Sequence, residues 1–293
     1  MAKSNKLGKF NWRVPTISST LIEGEDAPVI YDMFGEDATK RFNGNKYLTV
    51  LNLVPAQEGN PAYVTGSNVF AAARLDTLAR QNNMRVATLA DLSHPQILAM
   101  VKDQFYSDTP ALVAQSARDS RGQNAGILKH VVELAEEKMG TVKFPFMVTG
   151  FDVAPSEDKG YGLSITPRDD FTVVQDDRFS GNNCGKTFNE ADELGLPKFE
   201  NEGKRRFYAR NNGLSGLYLG RNLSIDSDDD DLAVSGEYGR VVLVRGEADN
   251  AKILQEYIAK QNANLQELRG KLKTRYQSGL KEIESLAQRL GVK

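Results

Sequence analysis

The sequence predicts an α+β protein with a helical N-terminal half, an antiparallel sheet region and a long C-terminal helix that could form a coiled coil. Three observations lead to this prediction. Residues 67–140 repeat apolar side chains at helical spacing, residues 141–246 contain short apolar runs between turn residues, and residues 249–290 carry an apolar stripe without proline. We therefore divide the chain into segments 1–66, 67–140, 141–246 and 247–293.

Residues 1–66 are expected to form a basic arm followed by short strands. The arm carries four basic side chains and no acidic one among them, at Lys3, Lys6, Lys9 and Arg13. Such an arm would become ordered only against a partner surface. The β-rich run Tyr47–Val54, which Pro55 stops, indicates a buried strand.

Residues 67–140 are expected to form a helical block, because helix start signals recur along them. Ser67 or Asn68 can cap a helix that ends near Gln81. Further helices are expected from Ser93 to Phe105, from Thr109 to Ala117 and from Asn124 to Gly140, with residues 85–88 as a short strand or a link.

Residues 141–246 change to short apolar runs that indicate antiparallel strands. The runs lie at residues 144–149, 161–166, 171–174, 205–210, 214–219 and 239–245. Residues 176–204 have weak periodicity and are expected to form a long polar loop.

The last segment, residues 247–293, is expected to form one long helix. Its apolar stripe consists of Leu254, Ile258, Leu265, Leu268, Leu272, Tyr276, Leu280, Ile283, Leu286 and Leu290. Unbroken, residues 249–291 would span roughly 65 Å, although Gly270 or Gly279 could mark a bend. The stripe fits either packing along its own domain or a coiled-coil or groove contact with another chain.

Composition excludes several classes of protein. The 293 residues are 40% apolar and 26% charged with a net charge of −2, which is typical of globular chains and gives no global attraction to DNA or membranes. One cysteine excludes an internal disulfide framework, and no apolar run could span a bilayer. Without a recognisable secretory signal, we expect a cytoplasmic protein or part of a particle assembled inside the cell.

The acidic segment 226–237 is the candidate metal site. Asp226, Asp228, Asp230 and Glu237 fall at positions one, three, five and twelve of a twelve-residue loop, a spacing that suits calcium. Asp231 stands where such loops need glycine, and the flanks look like strands. Calcium or magnesium is the only cofactor we consider, and a solvated acidic hairpin tip is the alternative.

Two basic runs are candidates for nucleic-acid binding. On a strand, Arg206, Tyr208 and Arg210 would share one face that could track phosphates and stack a base. The tail contributes a second run, formed by Arg269, Lys271, Lys273 and Arg275. A solvated surface is the simpler explanation of either run.

No residue has the context of a catalytic group. The loop Gly181–Thr187 has three rather than four residues between its glycines, so it does not match a phosphate-binding loop. Cys184 has no histidine close in sequence, and His94 and His130 are expected to be structural.

These observations favour a non-enzymatic interaction or assembly protein that self-associates through its C-terminal helix and complementary charge blocks. Acids outnumber bases between Asp152 and Glu200, and bases outnumber acids from Asp249 to Lys293. The alternatives are a module that binds nucleic acid or another ligand, and a metal-assisted enzyme that uses the acidic loop 226–237.

Overall fold

The computed structural model describes residues 18–157, 160–245, 266, 269–279 and 283. The chain divides into two compact units, Met1–Glu247 and Ala248–Lys293. The predicted basic arm, with Lys3, Lys6, Lys9 and Arg13, lies outside the described residues. Within the described part, no helix has the length and hydropathy that crossing a lipid bilayer requires.

The first half of the larger unit alternates helices with strands. Its elements in chain order are β1 (Ser18–Leu21), α1 (Asp26–Phe42), β2 (Asn52–Val54), β3 (Tyr63–Thr65), α2 (Val69–Arg80), β4 (Met84–Val86), α3 (Leu89–Leu92), α4 (Pro95–Val101), β5 (Tyr106–Ala114) and α5 (Ala125–Met139).

The second half of this unit is almost entirely strand and turn. It contains β6 (Phe146–Pro155), β7 (Leu163–Gln175), two 3₁₀ turns (Asp177–Phe179 and Gly181–Asn183), β8 (Thr187–Ala191), β9 (Pro197–Glu200), β10 (Arg205–Ala209), β11 (Leu214–Leu219), β12 (Ile225–Ser227), β13 (Gly239–Arg240) and β14 (Val242–Arg245).

One nine-stranded sheet organises the unit. Eight strands are neighbours in the order β7-β6-β5-β11-β12-β10-β8-β9. The ninth strand, β13, pairs with β5 and stands outside this linear order. The pairs β10–β12 and β5–β13 are parallel, whereas the other neighbours in this sheet are antiparallel. Strands from distant parts of the sequence therefore meet at its centre.

Helices α1, α2 and α5 cover the β5–β6–β7 part of this sheet and enclose the main core. Helix α2 is buried on nearly all sides, because most of its residues from Val69 to Ala79 are apolar and its charged Arg74 and Asp76 are paired. Removing this much apolar surface from water is the dominant stabilising contribution in a fold of this size.

Buried ion pairs fasten the helices to the sheet. Arg74 on α2 bonds Asp37 on α1 at 2.7 Å and Asp152 on β6 at 2.6 Å. Arg168 on β7 bonds Asp76 on α2 at 2.7 Å. Because these charges are paired, their burial between helix and sheet is tolerated.

Two smaller sheets complete the unit. Strands β2 and β3 pair with each other, and β14 lies between β1 and β4 in a three-stranded antiparallel sheet. A second apolar cluster forms beneath this sheet, where α3, α4 and β14 meet the start of β5 and the end of β11.

The predicted fold class is wrong in its proportions, because the protein is mixed α+β but rich in sheet. The helix expected at 109–117 is strand β5, whose Thr109–Pro110 imitates a helix start. The polar loop expected at 176–204 contains β8 and β9, and helix α1 lies in the segment 1–66, which was expected to hold a basic arm and short strands. In the run 47–54, only Asn52–Val54 is strand.

Several helix predictions are confirmed. Asn68 caps α2 through its side chain, and Pro95 opens α4, although α4 ends at Val101 and His94 rather than Ser93 is its cap residue. Helix α5 follows Asn124 and ends at Gly140, which has the positive φ of 84° that glycine permits.

The long C-terminal helix is wrong as predicted. The described tail is helical over residues 269–279, which we name α6, and at the single residues 266 and 283. Gly270 and Gly279 both belong to α6. The remaining predicted stripe positions, Leu254, Ile258, Leu265, Leu268, Leu280, Leu286 and Leu290, lie outside the described residues.

Candidate functional site

A row of alternating acidic and aromatic residues crosses the centre of the large sheet. Tyr218 on β11 pairs with Asp108 on β5 and with Asp226 on β12. Asp226 in turn pairs with Tyr208 on β10. Since neighbouring strands lie about 4.8 Å apart, these four side chains are close neighbours along the row.

A pocket of about 590 Å³ opens over this row, and we name it the tyrosine–aspartate pocket. Its volume falls in the range of sites that bind small molecules, roughly 300–1,000 Å³. Its walls are formed by Asp103, Tyr106, Tyr208, Tyr218, Gly220, Arg221, Asn222, Ser224, Asp226 and Asp228.

The turn between β11 and β12 holds Asp226 in place. Gly220 donates its N–H to the carbonyl of Ser224 at 2.9 Å, and the Ser224 hydroxyl donates to the Asp226 carboxylate at 2.6 Å. A Cβ at Gly220 would lie 2.5 Å from the same carboxylate, so only glycine allows this close approach.

Tyr106 forms the opposite wall and is fixed by a glycine turn. The N–H of Gly236 donates to the Tyr106 hydroxyl at 2.8 Å, and a Cβ at Gly239 would lie 2.5 Å from that hydroxyl. The rings of Tyr106 and Tyr218 tilt against each other with centroids 5.7 Å apart. The wall is therefore preformed rather than dependent on a mobile side chain.

Two buried carboxyl groups beside the pocket have strongly raised pKa values. Burial raises the pKa of Asp226 to about 7, and the neighbouring Asp228 and Asp229 add to the effect. Burial likewise raises the pKa of Asp108 to about 7, although a hydrogen bond from the Ser67 hydroxyl opposes the shift. Their charged forms are costly because no ion pair within the described part of the chain compensates them.

The same excess of negative charge acts on the neighbouring groups. Burial raises the pKa values of Asp228 and Asp229, and Asp229 accepts a hydrogen bond from the Tyr218 hydroxyl. The Tyr218 pKa is also raised, by burial and by the nearby carboxylates, of which Asp226 has the largest effect. The pocket is thus a region of concentrated negative potential.

The four residues predicted to bind metal are separated in the fold. Asp226 and Asp228 line the pocket, whereas Asp230 forms an ion pair with Arg121 at 2.9 Å. Glu237 lies in the glycine turn. Among the described residues, no three acidic, histidine or cysteine side chains are grouped as metal ligands.

The residues predicted to bind nucleic acid have different surroundings. Arg206 is exposed on β10, but Tyr208 faces the acidic pocket. Arg210 follows the strand, and its guanidinium donates to the Leu214 carbonyl at 2.9 Å and lies 3.4 Å from Asp119. Negative charge beside Tyr208 disfavours a phosphate backbone there. In the tail, Arg269, Lys271, Lys273 and Arg275 are exposed on α6.

The predicted interaction stripe is represented by three described residues. Leu272, Tyr276 and Ile283 are 67%, 69% and 63% exposed. Large apolar side chains with this exposure are a minority on the described surface, since most of their kind lie in the cores.

The remaining candidates have ordinary surroundings. Cys184 is exposed after a 3₁₀ turn. His94 caps α4 with its side chain, and a ring nitrogen of His130 lies 2.8 Å from the Ile165 carbonyl. Both histidines thus have structural partners.

Sequence reasoning missed Tyr106, Tyr218 and Asp108, and it predicted Tyr208 only as a nucleic-acid contact. Tyr106 and Asp108 lie in the short link expected between the helices 93–105 and 109–117, and Tyr218 was not singled out. The residues come together only through pairing of β5, β11 and β12, so no local pattern could have found them.

Comparisons of this chain with models of protein families, with curated proteins and with solved structures found no match.

Proposed function

We propose that this protein is a non-enzymatic assembly component that self-associates through its C-terminal unit. The observation that supports the proposal is the exposed apolar row of Leu272, Tyr276 and Ile283. Three such side chains in water are unfavourable, and burying each would contribute roughly 2 kcal/mol.

The spacing of the row favours a second helix as the partner. Leu272 and Tyr276 are four residues apart, and Ile283 follows seven residues later. This spacing matches the d, a and a positions of a heptad repeat, which two helices bury by packing along a common seam.

The charge pattern favours the tail of a second copy in antiparallel orientation. The basic run Arg269–Arg275 precedes the acidic residues Glu282 and Glu284, with one base, Lys281, between them. Antiparallel tails would place each basic run beside the acids of the other copy. Parallel tails would place the two basic runs side by side, which is repulsive.

The test is the mass of the full chain in solution for the variant Leu272→Glu/Ile283→Glu. We expect the parent to sediment as a dimer or larger species with a concentration-dependent mass. Losing apolar burial at both positions should weaken association at least 100-fold, because about 1.4 kcal/mol corresponds to a factor of ten.

The matched control is Thr274→Glu/Gln277→Glu, which adds the same charge to the C-terminal unit outside the apolar row. Both residues are exposed on α6. The control should retain the parent's mass. A parent that remains monomeric at high micromolar concentration, or a control that dissociates as fully as the test variant, would overturn the proposal.

A further inference from the structure

The tyrosine–aspartate pocket has aromatic walls of the kind that attract cations. Tyr106, Tyr208 and Tyr218 all line it. Aromatic faces carry negative electrostatic potential and attract ammonium and guanidinium groups within about 6 Å. Within the protein, Arg221 and Tyr238 already illustrate such a contact, with the guanidinium carbon 4.2 Å from the ring centre.

The carboxylates in and beside the pocket have no cationic partner among the residues that the structure describes. Within the described residues, none of Asp108, Asp226, Asp228 and Asp229 forms an ion pair. Arg221 lines the pocket, but its guanidinium donates to the Asp103 carbonyl at 3.2 Å and covers Tyr238. Of these four, Asp108 and Asp226 are buried, and a buried carboxylate without compensation is costly unless a ligand supplies the opposite charge.

The arrangement favours an extended organic cation over a compact metal ion. The acids alternate with tyrosines along the row instead of converging on one point. A volume of about 590 Å³ also exceeds what one ion needs. A ligand with ammonium groups on an aliphatic chain could meet the carboxylates with its charges and the rings with its methylenes.

We propose that the tyrosine–aspartate pocket is a binding site for an aliphatic amine, with Asp226 and Asp228 as the charge partners and Tyr208 and Tyr218 as the aromatic walls. The site is independent of self-association through the tail. Through this site, the larger unit binds a small molecule.

The test is isothermal titration calorimetry of the full chain at pH 8 and 0.15 M salt, with 1,4-diaminobutane and Nα-acetyl-lysine amide as separate probes. We expect saturable binding of at least one probe. The probe that binds more tightly tells whether a free amine or a lysine side chain is the better source of the cation. Asp226→Asn should weaken binding roughly 30-fold or more, because it removes a buried charge partner. Tyr208→Leu should weaken it about fivefold through loss of the ring.

The matched control is Asp177→Asn, which removes an exposed carboxylate that does not line the pocket. It should bind like the parent. Absence of binding by both probes at 10 mM would overturn the proposal, and so would equal affinity in the parent and Asp226→Asn. Saturable Mg²⁺ binding that Asp226→Asn abolishes, without amine binding, would show that the site holds a metal and would also overturn it.

Discussion

The carboxyl of Asp226 provides a direct test of how the acidic pocket affects stability. It is only 7% exposed and accepts a hydrogen bond from Ser224, and it forms no ion pair with any residue that the structure describes. Asp226→Asn keeps the size and one acceptor oxygen of the side chain while removing its charge. We therefore expect the variant to be more stable than the parent at alkaline pH and equal to it in acid.

The magnitude follows from the pKa. Raising the pKa of Asp226 from 3.8 to about 7 corresponds to roughly 4 kcal/mol lost by the folded state when the group is ionised. The hydrogen bond from Ser224 is already included in this pKa, and asparagine keeps an acceptor oxygen for it. The net gain in the free energy of unfolding at pH 8 is therefore about 4 kcal/mol.

The sign of the pH dependence follows from the same values. The folded-state pKa lies above the unfolded value, so the folded state binds more protons between about pH 4 and pH 7. The stabilising effect of the protonated carboxyl is complete below the unfolded pKa and is lost as the pH rises through 7. The difference in the free energy of unfolding between variant and parent should thus be near zero at pH 4 and increase up to pH 8.

The assay is thermal unfolding of both proteins at intervals from pH 4 to pH 8, in buffer free of amines. At pH 8 the variant should melt about 10 °C higher. Asp177→Asn, at an exposed position, should stay close to the parent throughout. A melting difference for Asp226→Asn that is constant with pH, or negative at pH 8, would refute the reasoning.

Further variants test the packing around the sheet. Arg74→Met leaves the buried Asp152 and the half-buried Asp37 without their ion-pair partner, so urea unfolding should show a loss of about 3–5 kcal/mol. Lys40→Met breaks an exposed pair with Glu36 and should change stability by less than about 1 kcal/mol. Similar losses for both variants would contradict this account. Gly150→Ala adds a Cβ that overlaps the Asp170 carbonyl at a φ of 73° and should cost about 3 kcal/mol or more. Gly185 has a φ of 82°, but a Cβ added there would meet no neighbouring atom. Thermal melting of Gly185→Ala should therefore show only the cost of the backbone conformation, about 1 kcal/mol. Equal costs at both glycines would exclude the steric explanation.

The helices that the sequence identified correctly are those with local start and stop signals that agree with the tertiary structure. Asn68 caps α2, Pro95 opens α4 and Gly140 ends α5. Helix α1 was missed although Phe34, Ala38 and Phe42 repeat at four-residue spacing. That repeat was the available signal.

Strand β5 shows where local signals fail. Pro110 looks like the first residue of a helix, yet it lies in a strand with neighbours on both sides. The pairing of β5 with β11 is irregular here, because Asp108 pairs with Tyr218 and Leu112 with Gly216. An irregularity of this kind relieves proline of the ladder hydrogen bond it cannot donate, and only the assembled sheet reveals it.

The pocket was half predictable for a similar reason. Asp226 and Asp228 were identified because acids cluster at 226–231 in sequence. The tyrosines that accompany them come from β10 and β11, and Asp108 comes from more than 100 residues earlier. Their meeting depends on strand order, which single-sequence periodicity does not determine.

The position of β14 has a consequence for how the chain is made. β14 is the central strand between β1 and β4, and it pairs Arg245 with Ser18 near the opposite end of the sequence. During translation at about 5–20 residues per second, β1 waits roughly 10–45 s for this strand to be synthesised. The three-stranded sheet therefore closes last, and a nascent chain stalled before residue 242 would present the backbone edges of β1 and β4 to chaperones or to other nascent chains.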